Sequence, residues 1–176
     1  MFILLGSVPL HRLPTLLDEA GLTAARDAIA ASQGAHIIAS ASMLAAPGAL
    51  AWLIDRGARL GGAGDAWGKP RKPFLELAYG YLPLVWAGIL SYYLFLMLGE
   101  GGHILALAGH AVGAPLPSFE AHPAVIRFLQ GATLFLGTSS SLVLTRRIGG
   151  EWRAVTHQCA CILGAGAGLY HVVETM

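Results

Sequence analysis

Histidine is the residue type in this 176-residue chain whose chemistry could define a site, and there are seven of them. Imidazole ligates haem iron and transition metals, and its charge changes near neutral pH. We take five histidines as candidate cofactor-binding residues: His171, His36, His103, His110 and His157. The pattern specifies no particular metal. The sequence shows no nucleophile beside an orienting base, so no residue is predicted to be catalytic.

Two of these histidines lie in the stretch GEGGHILALAGH, residues 99–110. His103 and His110 are seven residues apart, so on a helix they share a face and are separated by about 10 Å along the axis. That distance is too long for one small metal ion. The glycines around residue 100 allow the chain to turn sharply, and the stretch is predicted to form a short surface helix. Either one histidine faces a cofactor or a partner, or both are polar groups of a wet interface.

Another pair belongs to the last apolar segment. His157 and His171 are fourteen residues apart, which places them on similar faces about 21 Å apart along a helix. Cys161, Gly164 and Gly168 fall on the same stripe. Small residues between two histidines are typical of b-type cytochrome helices, but they are equally typical of helix packing in membranes. A haem with two histidine ligands would pair His171 with a histidine on another helix. The candidates are His36, His103 and His110.

Composition indicates the setting of these residues. The chain is 55% hydrophobic and 12% charged, whereas soluble domains carry about 25% charged residues. A net charge of +1 without a basic stripe excludes a nucleic-acid partner. Cys159 and Cys161 lack the spacing of iron–sulfur ligands, and a CxC pair does not readily form a disulfide. We therefore expect a lipid-embedded protein with no iron–sulfur cluster of its own.

The apolar segments predict an all-α fold, an integral membrane four-helix bundle. A bilayer-spanning helix needs about 20 mostly apolar residues. Residues 1–34 are predicted to form an N-terminal arm with an amphipathic interfacial helix over 13–32, and residues 35–176 the transmembrane domain, with the short surface helix between spans two and three. The first ten residues are too short to span and do not resemble a signal peptide. The four predicted spans are 35–54, 74–98, 123–145 and 154–173.

The basic residues orient these spans. Two loops carry most of the Lys and Arg residues, and the loop after span two carries none. The positive-inside rule places the two basic loops in the cytoplasm and both chain termini on the non-cytoplasmic side of a bacterial inner membrane. Four spans of alternating direction then put His157 near the cytoplasmic side and the other four candidate histidines on the outer side. The basic loop residues are Arg56, Arg59, Lys69, Arg71, Lys72, Arg146, Arg147 and Arg153.

Residues 81–148 suggest a family. The run YLPLVWAGILSYYLFLMLGEGG and the later run VIRFLQGATLFLGTSSSLVLTRRI resemble the C-terminal membrane part of polytopic 4Fe-4S ferredoxin-type electron-transfer proteins. The match rests on an aromatic-Leu-Pro-Leu motif, Tyr81 to Leu84, and on a small-residue, Ser-Leu and basic cluster at 141–147. The cluster-binding cysteines of that family are missing here. The resemblance implies a detached membrane half whose iron–sulfur cluster belongs to a partner.

Three functions follow as hypotheses. The first is a small integral subunit of a bacterial electron-transfer or respiratory-type complex, a non-catalytic subunit rather than an enzyme by itself. It would anchor other membrane subunits, an iron–sulfur or a cytochrome protein, and contact haem b or quinone at the non-cytoplasmic face. The second is a purely structural membrane subunit without a cofactor. The third is a metal-handling or transport protein that uses the outer histidines.

Overall fold

The computed structural model describes residues 2–10, 13–60, 72–114, 117–118, 121–150 and 152–174, except the side chains of residues 152–154. All regular elements in these ranges are helices. A 3₁₀ turn covers Tyr79–Tyr81. The helices are α1 (Phe2–Leu10), α2 (Leu13–Glu19), α3 (Thr23–Ala31), α4 (Gln33–Leu60), α5 (Phe74–Ala78), α6 (Leu82–Gly99), α7 (Gly101–Ala111), α8 (Pro123–Gly149) and α9 (Trp152–Glu174).

Three stretches of helix in the described chain are long and apolar enough to cross a membrane: Gln33–Leu60, Phe74–Gly99 and Pro123–Gly149. They coincide with the first three predicted spans, and the predicted all-helical class is confirmed for the described residues. α9 coincides with the fourth predicted span, but it is not among these three. Large apolar side chains cover the outside of the helices, as expected of a protein in contact with lipid. Examples are Ile38, Leu53, Trp86, Met97, Phe128 and Phe135.

α6 and α8 form the central antiparallel pair. The buried residues of α8 recur every three or four positions, the spacing of one helix face. Small and polar residues fill the contact: Gly137 lies against Ala87, and the Ser141 hydroxyl accepts a hydrogen bond of 2.9 Å from the Leu84 backbone N–H. Such residues let membrane helices approach closely and pair their polar groups. The buried face of α8 consists of Ile126, Gln130, Leu134, Gly137, Ser141 and Thr145.

α9 and α4 complete the bundle with alternating direction. α9 runs antiparallel to α8, with Gly166 against Thr138 and Gly131 against Tyr170. α4 is peripheral, and α1 and α9 are among the helices that it contacts. We call the end where α4 and α8 finish and α6 begins the basic end, because Arg56, Arg59, Arg146 and Arg147 lie there.

α1 is a feature that the sequence pattern did not predict. It is apolar except for Ser7 and packs in the groove between α4 and α6. Gly6 lets the two backbones meet, since a Cβ there would lie 2.5 Å from the Met43 carbonyl oxygen. The Phe2 ring contacts Phe74 and Tyr81, with centroids 6.1 and 5.2 Å apart.

The position of α1 changes the predicted arrangement of the chain ends. We call the end opposite the basic end the histidine-bearing end, because His36, His103, His110 and His171 lie there. Both termini were expected at this end. Glu174, at the end of α9, does lie there, but Phe2 lies at the basic end. The reason is burial of apolar surface: a nine-residue helix without charges gains more from a groove between helices than from a headgroup region. α2 then continues toward the far end, where the Glu19 carboxylate lies 3.6 Å from His171.

Gly137→Val tests the central contact. A Cβ at this position would collide with the Ala87 side chain and lie 3.0 Å from the Pro83 carbonyl oxygen. We expect the free energy of unfolding to fall by about 1–3 kcal/mol, the usual cost of overpacking. Thermal unfolding in detergent, followed by helical circular dichroism, measures it. The matched control is Gly164→Val, because a Cβ at Gly164 meets nothing within 4 Å. Equal stability of the two variants would contradict the packing described above.

Candidate functional site

The Asp55 carboxylate is the centre of a buried polar cluster at the basic end. Asp55 lies on α4 and is only 3% exposed. Arg59, one turn later, donates from Nε to Oδ2 at 2.6 Å. Two residues of α9 face the other oxygen: His157 Nε2 lies 3.3 Å from Oδ1, and Gln158 Nε2 donates to Oδ1 at 3.4 Å. The carboxylate thus joins α4 to α9.

Tyr81 extends this cluster into the core. Its hydroxyl donates to Gln158 Oε1 at 2.5 Å, and the residue is 2% exposed. Toward the surface, Arg59 also donates to the Lys72 carbonyl oxygen at 2.9 Å. We call these residues the Asp55 network: Asp55, Arg59, Tyr81, His157 and Gln158. It runs from the edge of the bundle to its interior.

The members of the Asp55 network satisfy one another's polar groups. An unpaired carboxylate in a low-dielectric interior is very costly, and Arg59 supplies the opposite charge. The Gln158 amide bridges Asp55 and Tyr81. Its nitrogen donates to the Asp55 carboxylate and its oxygen accepts from the Tyr81 hydroxyl, so these two partners determine the orientation of the amide. A carboxylate beside an imidazole can hold a proton and pass it on. The His157 side chain is 14% exposed, so this pair lies close to the protein surface at the basic end.

The five predicted histidines occupy different surroundings. His157 belongs to the Asp55 network, and its Nε2 is directed at the carboxylate rather than into a separate cofactor space. His171 is 65% exposed and lies beside Glu19 of α2, while His36 Nδ1 lies 3.5 Å from the Ser40 hydroxyl. His103 and His110 are exposed on α7. Within the described residues, no group of three or more His, Cys, Asp or Glu side chains could hold a metal ion.

Other polar groups at the histidine-bearing end have local structural roles. His122 caps α8, since its Nδ1 accepts a hydrogen bond of 3.2 Å from the Ala124 backbone N–H. Arg26 joins α3 to α2 through Asp18 at 2.8 Å. Hydrogen bonds from Arg26 to Asp27 and to Asp18 raise the pKa of the guanidinium above its ordinary value. These contacts order the N-terminal helices.

Asp55, Tyr81 and Gln158 were not predicted as site residues. Asp55 follows directly after the predicted first span, and Tyr81 was named as the first residue of the aromatic-Leu-Pro-Leu motif. The sequence could have indicated that Asp55 and His157 lie at the same end, because they belong to antiparallel spans. It could not show that they are in contact, because spacing along the chain does not determine which helix faces pack against each other. Cys159 is a buried free thiol and Cys161 a partly buried one. Lys69 and Arg71 of the first basic loop, and the side chain of Arg153, lie outside the described residues.

Comparison with known proteins adds no relative to this picture. No protein-family model, no curated protein and no solved structure matches the chain. The class therefore rests on the fold itself: the described part of the chain is all-helical, contains three helices long and apolar enough to cross a membrane, and carries a largely buried network of ionisable and polar side chains.

Tyr81→Phe tests the inner part of the network. The change keeps the ring and its contact with Phe2 but removes the donor to Gln158, leaving a buried amide oxygen without this partner. We expect the free energy of unfolding to fall by about 1–3 kcal/mol. Tyr79→Phe is the control, since Tyr79 is exposed two residues earlier. Denaturant unfolding of both variants in detergent measures the difference, and an equal effect would count against the hydrogen bond.

Proposed function

We propose that this chain is a small integral membrane subunit of a bacterial electron-transfer complex, with the Asp55 network as its proton-exchanging group. The observation that carries the proposal is the pair of ionisable side chains formed by the buried Asp55 and the partly buried His157. In this role the pair gives a proton to a quinone that is reduced by electrons from a partner's redox centre. It then takes up a proton from water at the basic end.

The energetic cost of the network supports a functional role. Apolar residues of similar volume pack as stably as a buried ion pair, or more stably, and they would hold α4 to α9 without ionisable groups. Ionisable residues inside membrane domains are rare and mark proton or ion pathways more often than packing sites. Proton exchange itself needs only His157 and Asp55, and the hydrogen bonds of Gln158 to Asp55 and from Tyr81 hold the carboxylate in place.

The family resemblance supports the electron-transfer setting. The aromatic-Leu-Pro-Leu motif begins with Tyr81, the same residue that ends the Asp55 network in the core. In this proposal α9 is the fourth span, and the basic end faces the cytoplasm of a bacterial inner membrane. α3 and α7 lie at the opposite interface. Protein partners are other membrane subunits and an iron–sulfur or cytochrome protein.

Asp55→Asn tests the proton-exchanging role in the complex isolated from the native membrane. Asparagine keeps the shape of the side chain but removes the protonatable carboxylate. We expect electron transfer to a soluble quinone analogue to slow by about 100-fold, within the range of general acid–base contributions. The control is Glu76→Gln, which neutralises an exposed carboxylate paired with Lys72 near the same end.

Three readouts decide that experiment. Subunit composition and helical circular dichroism show whether the Asp55→Asn complex assembles. A slow but assembled complex supports the proposal. Unchanged electron transfer in Asp55→Asn, or a complex that contains no redox-active partner, contradicts it.

Haem at the histidine-bearing end is a separate part of the proposal. His171 is the residue that suits ligation best, because its side chain is exposed at the end of α9 and could complete a haem site with a histidine of this chain or of a partner. His157 is less suited because its Nε2 faces Asp55. His36, His103 and His110 are the second-ligand candidates within the chain.

The visible spectrum of the purified complex tests this part. We expect the Soret absorbance of one haem b to disappear in His171→Ala while the subunits stay assembled. His122→Ala is the control, because His122 caps α8 and is not assigned to haem. A spectrum without a haem band, or one unchanged in His171→Ala, would contradict haem ligation by His171. Neither result would bear on the proposed role of the Asp55 network.

A structural subunit without a cofactor is the second candidate. The observation in its favour is that little of α4 is buried, so that Asp55 would serve to hold α4 against α9. In α4, which is fully described, the buried residues are Ala51 and Asp55. If Asp55 serves packing only, Asp55→Asn and Asp55→Leu will change the unfolding free energy while every electron-transfer rate of the complex stays the same.

A further inference from the structure

A surface depression along α8 at the basic end is the strongest feature that the Asp55 network does not use. Its volume is about 710 Å³. The lining residues belong to the face of α8 that turns away from α6, since the α6-facing positions are Gly137, Ser141 and Thr145. The depression is lined by Ser139, Leu142, Val143, Arg146, Arg147 and Gly150.

The length of the depression matches one leaflet of a bilayer. Ser139 and Gly150 are eleven positions apart, which corresponds to about 16 Å along a helix. The hydrocarbon core of a bilayer is about 30 Å thick, so one leaflet is about half of that. A molecule lying along this face would extend from the membrane surface at the end of α8 to near the middle of the bilayer.

The chemistry of the lining changes along this length. Arg146 and Arg147, both exposed, lie in the last turn of α8 at the water end. Arginine pairs with phosphate oxygens through its planar fork of N–H donors. Leu142 and Val143 lie one turn deeper and offer apolar surface, with Ser139 below them. A phosphate at the surface with a hydrocarbon chain beneath it fits this order.

The geometry points to a binding site for one anionic phospholipid, with its phosphate on Arg146 and Arg147 and an acyl chain along Leu142 and Val143. The ligand comes from the leaflet at the basic end. The site is independent of the proposed redox role, since its lining residues are not members of the Asp55 network. An anionic headgroup is favoured over a zwitterionic one because two positive charges meet at one end of the depression.

Native mass spectrometry of the full chain, taken from nanodiscs into detergent, tests this site. One disc preparation contains phosphatidylglycerol and the other phosphatidylcholine. We expect one phosphatidylglycerol molecule to stay bound to the wild type. The Arg146→Gln/Arg147→Gln variant should bind this lipid about 30-fold more weakly, because each arginine near a membrane surface contributes about 1 kcal/mol. Inorganic phosphate is added in a separate arm and should not displace the lipid, because it has no acyl chain.

Two further variants show whether weaker lipid binding comes from loss of this site, rather than from loss of any positive charge or from misfolding. Arg127→Gln removes an exposed arginine at the other end of the same helix and should leave lipid binding unchanged. Val143→Trp fills the depression without changing the charge, and it should weaken lipid binding. Its helical circular dichroism should equal that of the wild type. Equal binding by the double variant and wild type overturns the proposal. So does equal retention of phosphatidylcholine, loss of lipid in Arg127→Gln, or displacement by phosphate alone.

Discussion

Pairing of the Asp55 carboxylate inside the protein is the constraint on which the arrangement of α4 depends. A carboxylate that is 3% exposed in a membrane domain needs a positive charge and hydrogen-bond donors close by. Arg59 supplies the charge from the same helix, while His157 and Gln158 supply donors from α9. Since α4 buries little else, this interaction and the insertion of α1 determine where α4 lies against the bundle.

The centre of the bundle uses a different principle. α6 and α8 meet through small residues, and their polar groups pair across the contact, as in the Leu84 N–H to Ser141 bond and the Gln130 amide, which donates to the Ser91 carbonyl oxygen at 3.0 Å. Lipid supplies no hydrogen bonds, so polar residues of the spans are stable where two helices face each other. The same rule gathers Tyr81, Gln158 and Asp55 at the meeting point of α6, α9 and α4, and thereby makes a site.

Charged and titratable side chains distinguish the two ends of the bundle. The basic end combines the Asp55 network inside with Arg146 and Arg147 outside, so proton exchange and anionic lipid binding would occupy the same end without sharing residues. The other end carries His36, His103, His110 and His171, which the described structure leaves largely exposed. In the proposed function, the exposed histidines meet a partner, whereas the pair of Asp55 and His157 needs only water and a redox neighbour.

Composition and apolar run length were enough to predict the helical class, the helix that contains His103 and His110, and the positions of three helices that are long and apolar enough to cross a membrane, out of four predicted spans. These features depend on the local sequence and on the thickness of a bilayer, which fixes how many consecutive apolar residues a span needs. Both requirements can be checked along the sequence alone. The tertiary structure alone decided that Asp55 meets His157, 102 positions away in sequence, and that α1 enters the bundle. Which faces of separate helices turn together depends on the packing of all of them at once, and no spacing within a single segment encodes that choice.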